Sequence, residues 1–158
     1  LGADIDISSK VRPFDACRSG TDDGPHPTLH LDDVSAIPFL VNVAGVEEYQ
    51  HRGRLRAGDR DVYVTVTPET DGYEAYCRDV LGMGSPEHLV ADPVGPPIAV
   101  ARACMSGKTY ARLAEVAKGS GGLTIHPYMG IEDVWELAAK LSVDGQSPVR
   151  VISPPPPV

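Results

Sequence analysis

Apolar positions recur along this chain with two periods, and each change of period marks an element. Asp61-Val-Tyr-Val-Thr-Val-Thr67 is dense in β-branched and aromatic side chains and reads as the clearest strand. Pro38-Phe-Leu-Val-Asn-Val43 is a short continuous apolar run, the pattern of a strand buried on both faces, ending at Ala44-Gly45. His88-Leu-Val-Ala91, Leu123-Thr-Ile-His126 and Val149-Arg-Val-Ile152 read as three further strands. Between them the period lengthens. Tyr73, Tyr76, Cys77, Val80 and Leu81 make a helical stripe after Thr67-Pro68-Glu69, and Gly82 stops it. Pro97 to Met105 reads as a short helix. Ser106 caps the next, which carries Tyr110, Leu113, Ala114 and Ala117 on one side and closes at Gly119. The strongest helix runs from Ile131 to Leu141, with Ile131, Val134, Trp135, Ala138 and Leu141 facing inward.

Two stretches stand outside this alternation. Residues 1–36 show little hydrophobic periodicity and a Gly/Asp/Pro-rich cluster, so they read as an irregular N-terminal arm outside the core. Arg52 to Arg60 reads as a basic loop punctuated by glycine. At the other end, residues 154–158 are four prolines and a valine. Proline lacks the backbone donor that a sheet or helix needs, so this run predicts a stiff connector to a downstream domain. Residues 37–153 are then an α/β domain. Its expected form is three layers: a mainly parallel, Rossmann-like sheet of about five strands with helices on both faces. Such sheets bind ligands at the carboxyl ends of their strands, which singles out Asn42, Gly45, Thr67, His126 and Tyr128 as candidate ligand-binding residues.

Composition narrows the function classes. With 14 basic and 22 acidic side chains the formal net charge is −8, which argues against nucleic acid and anionic membranes as partners. No apolar run approaches the ~18–20 residues of a membrane-spanning helix. Cys17, Cys77 and Cys104 form no C-x-x-C pair, so free thiols in a reducing cytoplasm are the expectation.

The motifs are weak. Ser106-Gly-Lys-Thr109 has the tail of a phosphate-binding loop, but Arg102 stands where the leading glycine belongs. Gly82-Met-Gly84 and Gly119-Ser-Gly-Gly122 follow helices, whereas a dinucleotide loop precedes one. His26 and His30 flank Pro27 without an adjacent acid, so no metal site is assigned. His126-Pro127-Tyr128, at a strand end just before a helix, is the one constellation placed to touch a ligand. No catalytic residue is nominated.

Phe39-Leu-Val-Asn-Val43, Gly58 to Pro68 and the helix closing on Asp79-Val-Leu-Gly-Met83 carry a family likeness. So do Leu123 to Gly130, Trp135 to Leu141 and Val151 to Pro155. Together they resemble the pre-ATP-grasp domain that precedes the catalytic region of ATP-grasp ligases, including bacterial peptide ligases. The long leader and the loop Ser142 to Pro148 depart from that pattern. The resemblance implies the N-terminal cleft domain of a ligase that joins a carboxylate to an amine. ATP and Mg²⁺ serve the full-length enzyme, with none expected in this segment, which should catalyse nothing alone. Its implied partners are a downstream ATP-grasp domain and the carboxylate and amine substrates. A homodimer is left open. The competing reading is a stand-alone α/β module for small-molecule binding or protein interaction.

Overall fold

The computed structural model describes residues 17–19 and 26–155. Six strands form one sheet: β1 (Cys17–Ser19), β2 (Thr28–Leu31), β3 (Val62–Thr65), β4 (Glu87–Val90), β5 (Leu123–Pro127) and β6 (Val149–Val151). Their spatial order is β1-β6-β5-β2-β3-β4, and every neighbouring pair is parallel. The helices are α1 (Tyr73–Ala75), which runs into a π turn at Tyr76–Val80, then α2 (Val100–Ala103), α3 (Gly107–Gly119) and α4 (Glu132–Gly145). Two 3-10 segments, Pro38–Leu40 and Val46–Arg56, complete the set. The expected α/β, parallel, three-layer arrangement is what forms.

Strand composition gives the two faces of the sheet different characters. Leu29, Leu31, Val62, Val64, Leu123, Ile125, Val149 and Val151 alternate onto one face and are buried there. Against them pack Val100, Ala101 and Ala103 of α2, Leu113 and Ala117 of α3, and Val134, Trp135, Leu137 and Leu141 of α4. This is the main hydrophobic core. Removing apolar surface from water is worth roughly 25 cal/mol per Å², so this face supplies most of the drive to fold. The opposite face is polar. Registered pairing sets His126 beside His30, His30 beside Tyr63 and Tyr63 beside His88, a row of four rings across four strands. The 3-10 segment Val46–Arg56 and the α1–π segment cover this face.

The order of strands explains which face each crossover takes. From β2 the chain steps to β3 and β4 with its connections over the polar face. It then returns past β2 to β5 and β6 with α2, α3 and α4 on the apolar face. Parallel crossovers are right-handed, so reversing direction along the sheet obliges the chain to change faces.

Four expectations are corrected. Residues 38–43 are not a strand. The N–H groups of Leu40 and Val43 bond locally to the carbonyls of Ile37 and Leu40, at 3.0 and 2.9 Å, and Phe39 is 77 % exposed. Both edges of β2 are already paired, to β5 and β3, so this run has no ladder to join there. Second, residues 28–31, read as part of an irregular arm, are a central strand, and Leu29 and Leu31 lie in the core. The neighbouring strand Cys17–Ser19 also falls within that arm and pairs with β6, while residues 1–16 and 20–25 lie outside the described residues. Third, most of the basic loop 52–60 belongs to the 3-10 segment Val46–Arg56. The stripe from Tyr73 to Leu81 also buries only Cys77, leaving Tyr76, Val80 and Leu81 exposed. The π turn changes the residues per turn, so positions seven and eight along no longer return to the same face.

Candidate functional site

The carboxyl ends of β2 and β5 flank the point where the chain reverses direction along the sheet, since β3 lies to one side of β2 and β5 to the other. At such a switch point the two following connections separate and leave a crevice. Asp32 follows β2, and Tyr128 follows β5. The strand alternation continues through both, so they project on the polar face.

Asp32 is the centre of the cluster. Its side chain is 1 % exposed and pairs with Arg56 at Oδ1, while Arg52 Nε lies 3.4 Å from Oδ2. Both arginines come from the 3-10 segment, four residues apart. Arg52 is held from every side. Its Nε donates to the Tyr49 carbonyl at 3.0 Å, and the guanidinium lies over the rings of Tyr49 and Tyr128, 4.6 and 4.4 Å from their centroids. Its Nη2 is buried without a hydrogen-bond partner among the described residues. Arg52 and Arg56 remain 40 % and 31 % exposed at the side chain, so the buried carboxylate anchors two cations whose outer edges face the mouth.

Beneath them lie the histidines. The rings of His30 and His126 are 5.5 Å apart. His30 Nε2 bonds Asp61 Oδ2 at 3.3 Å, and the other Asp61 oxygen accepts the Thr28 N–H. Burial lowers the His30 pKa to about 4 despite that carboxylate. His126 is also lowered, by burial first and by the positive charge of Arg56 second. Both imidazoles are therefore neutral at pH 7. Burial pushes Asp32 upward, against the opposing pull of Arg56 and Arg52. The next residue turns the other way: Asp33 Oδ2 accepts the Ala101 N–H at 2.8 Å, fixing the first turn of α2 from the apolar side.

The loop after β5 is held in place by a close approach. A Cβ at Gly130 would fall 1.9 Å from the Ser153 hydroxyl oxygen, so only glycine lets the exit from β6 cross here. That exit, Ser153-Pro154-Pro155, thus leaves beside the mouth; the connector beyond Pro155 lies outside the described residues.

Of the residues proposed from sequence, the structure brings His126 and Tyr128 to the mouth. Thr67 lies along the same face but farther over, where its hydroxyl meets His51 Nε2 at 3.0 Å. Asn42 and Gly45 sit in an exposed connection between the two 3-10 segments. With no strand at 38–43, the reason for placing them at a strand end is gone. Tyr128 stacks on Arg52, whereas Trp135 is buried in the core beneath the other face. Sequence reasoning missed Asp32, Arg52, Arg56 and His30. The signal available was Thr28-Leu-His-Leu31, an alternation ending in two acids, which its Gly/Pro-rich surroundings concealed.

Among the described residues no three His, Cys, Asp or Glu side chains come together to hold a metal ion, and no helix is long and apolar enough to cross a membrane. A family model described as the Pre ATP-grasp domain matches residues 50–143, more than half of the chain. No match was found among curated proteins or among solved structures.

Proposed function

Because the chain belongs to the pre-ATP-grasp domain family, we propose that it is the N-terminal substrate-cleft domain of an ATP-dependent ligase that joins a carboxylate to an amine, working against an ATP-grasp domain. The family match carries this reading. Its span of residues 50–143 takes in Arg52, Arg56, His126 and Tyr128, four members of the switch-point cluster. The mouth of the sheet is then one wall of the cleft, and an ATP-grasp domain supplies the other.

The division of labour follows from the side chains. Phosphoryl transfer from ATP needs divalent metal and several cations around the triphosphate, because negative charge spreads over the transferred oxygens. On this reading Mg²⁺ and most nucleotide contacts belong to the ATP-grasp domain. What this chain offers is a wall of charged and aromatic side chains. Arg52 and Arg56 orient a bound group by charge, and Tyr128 and His126 shape its surroundings. The setting is cytoplasmic, where ATP is available.

Two measurements test the proposal. Calorimetry of residues 1–158 with ATP and Mg²⁺ should show little binding. The same domain joined to its ATP-grasp region should release ADP only when both a carboxylate and an amine are supplied. Tight ATP binding by residues 1–158 alone, or ADP release independent of both substrates, would overturn it in favour of a stand-alone binding module.

A further inference from the structure

The charges at the mouth do not cancel. Asp32 contributes one negative charge and the two guanidinium groups contribute two positive ones. No other acidic side chain pairs with either arginine among the described residues. Asp33, Asp61 and Glu48 are engaged elsewhere: Asp33 with Ser35 and Ala101, Asp61 with His30, Thr28 and Gly58, and Glu48 with Thr70. His30 and His126, lowered by burial, add no charge at neutral pH. The local balance is one positive charge, in a chain whose formal net charge is −8.

The geometry sets the shape of what can answer that charge. The Arg52 guanidinium lies against the rings of Tyr49 and Tyr128, which limit how it can turn, and its N–H groups donate in its own plane. Nε is already committed to the Tyr49 carbonyl and Asp32, and Nη2 is enclosed by protein, which leaves Nη1 as the donor of Arg52 that can face a ligand, beside the part-exposed Arg56. Two guanidinium groups braced on one buried carboxylate, each part-exposed, suit an acceptor with two oxygens, one for each arginine. One unit of excess charge suits a single carboxylate, whereas a triphosphate with several negative charges needs more cations than this mouth supplies.

We infer that Arg52 and Arg56 form a subsite for one non-reacting carboxylate, such as the α-carboxylate of an amino acid or short peptide, with Asp32 as the positioning residue that holds both guanidinium groups. The name of the ligand rests on the ligase reading above; the subsite itself rests on the geometry. The bound carboxylate is not the one to be activated, because a carboxylate held between the two arginines keeps both oxygens engaged. Tyr128, half exposed beside Arg52, forms the wall against which the ligand's backbone lies.

The test uses residues 1–158 without ATP, so it does not depend on ligase activity. Side-chain resonances of Arg52 and ring resonances of Tyr128 are followed by NMR while N-acetylglycine, N-acetylglycinamide or inorganic phosphate is added. N-acetylglycine should shift both, N-acetylglycinamide neither, and phosphate at least about tenfold more weakly, a difference of one decade in affinity. Arg52→Gln should abolish the response. Arg52→Lys, which keeps the charge but not the fork, should weaken it by about tenfold. Tyr128→Leu removes an exposed ring wall and leaves both cations, so it should keep carboxylate selectivity with reduced affinity. No response in the folded protein, or a response to phosphate equal to that for N-acetylglycine, overturns the carboxylate subsite. If N-acetylglycine binds but the complete enzyme shows no ATP-dependent ligation, the subsite stands and the ligase reading falls.

Discussion

His30 sits in an environment far from what its side chain prefers in water. It is 4 % exposed on a central strand, with one ring nitrogen on Asp61 and the other without a hydrogen-bond partner among the described residues. Burial outweighs the attraction of Asp61, so the folded protein favours the neutral ring. The sign of the linkage follows. A depressed histidine pKa stabilises the fold above the unfolded value of 6.5, and that contribution is lost as pH falls toward the folded value of about 4. At ~1.4 kcal/mol per unit, the full loss is on the order of 3 kcal/mol. His51, His88 and His126 are lowered too and act with the same sign. Asp32 and Asp33, raised by burial, act with the opposite sign. The informative quantity is therefore the difference between parent and His30→Gln. Urea midpoints measured from pH 7.5 downward should fall less steeply in the variant. Parallel curves would show that His30 titrates normally in the fold.

At the scale of elements, the polar face is held by clips where the apolar face is held by packing. Arg54 is fully buried and joins three segments. Its Nε and Nη2 bind the two oxygens of Glu74 at 2.5 and 2.9 Å, and Nη2 also donates to the Gly84 carbonyl at 2.6 Å. This ties the 3-10 segment to α1 and to the loop before β4. Gln50 adds a second clip: its amide donates to the Glu47 carbonyl and its oxygen accepts the Val66 N–H. An 11-residue 3-10 segment is long for that geometry, and these tertiary bonds are what support it. Breaking a buried ion pair from one side typically costs ~3–5 kcal/mol, because the abandoned charge stays buried. Glu74 keeps some solvent access, so Arg54→Met should fall at the lower end, about 3 kcal/mol by chemical denaturation. Arg54→Met with Glu74→Gln should recover part of it. A loss below about 1 kcal/mol would mean the clip contributes only what a surface pair does.

For the whole molecule, the chain's reversal at β2 governs both stability and site. β2 is hydrogen-bonded to β3 on one side and β5 on the other, so it joins the two halves of the sheet. Deleting residues 1–36 would remove β2 together with Asp32 and Asp33. The shortened chain should lose cooperative unfolding and elute as aggregate or expanded chain. Retention of a sharp thermal transition near the parent's would show that the halves can pair without β2. The same reversal makes the cluster, since Asp32, Arg52 and Arg56 come from the connection between β2 and β3, His126 and Tyr128 from the end of β5 and the residue after it, and the two groups meet only once the sheet closes.

The sequence by itself determined the elements whose signals are local. The β-branched run at 61–67, the alternation at 88–91 and 123–126, and the long stripe of α4 each settle a period within one window, and together they imply a parallel α/β sheet. The pre-ATP-grasp likeness was legible for the same reason, being carried by those segments. Tertiary structure alone decided the rest. Thr28-Leu-His-Leu31 is too short to declare itself among its glycines and prolines; two flanking ladders make it a strand. Pro38 to Val43 looks like core by composition, yet no unpaired edge beside β2 was left to receive it. The arginine pair could not be read as a site from a basic loop, because its meaning lies in a carboxylate twenty residues before Arg52 and a tyrosine ring far beyond it. Local periodicity fixes what a segment prefers. Pairing, and the order in which strands find neighbours, fixes which side chains meet.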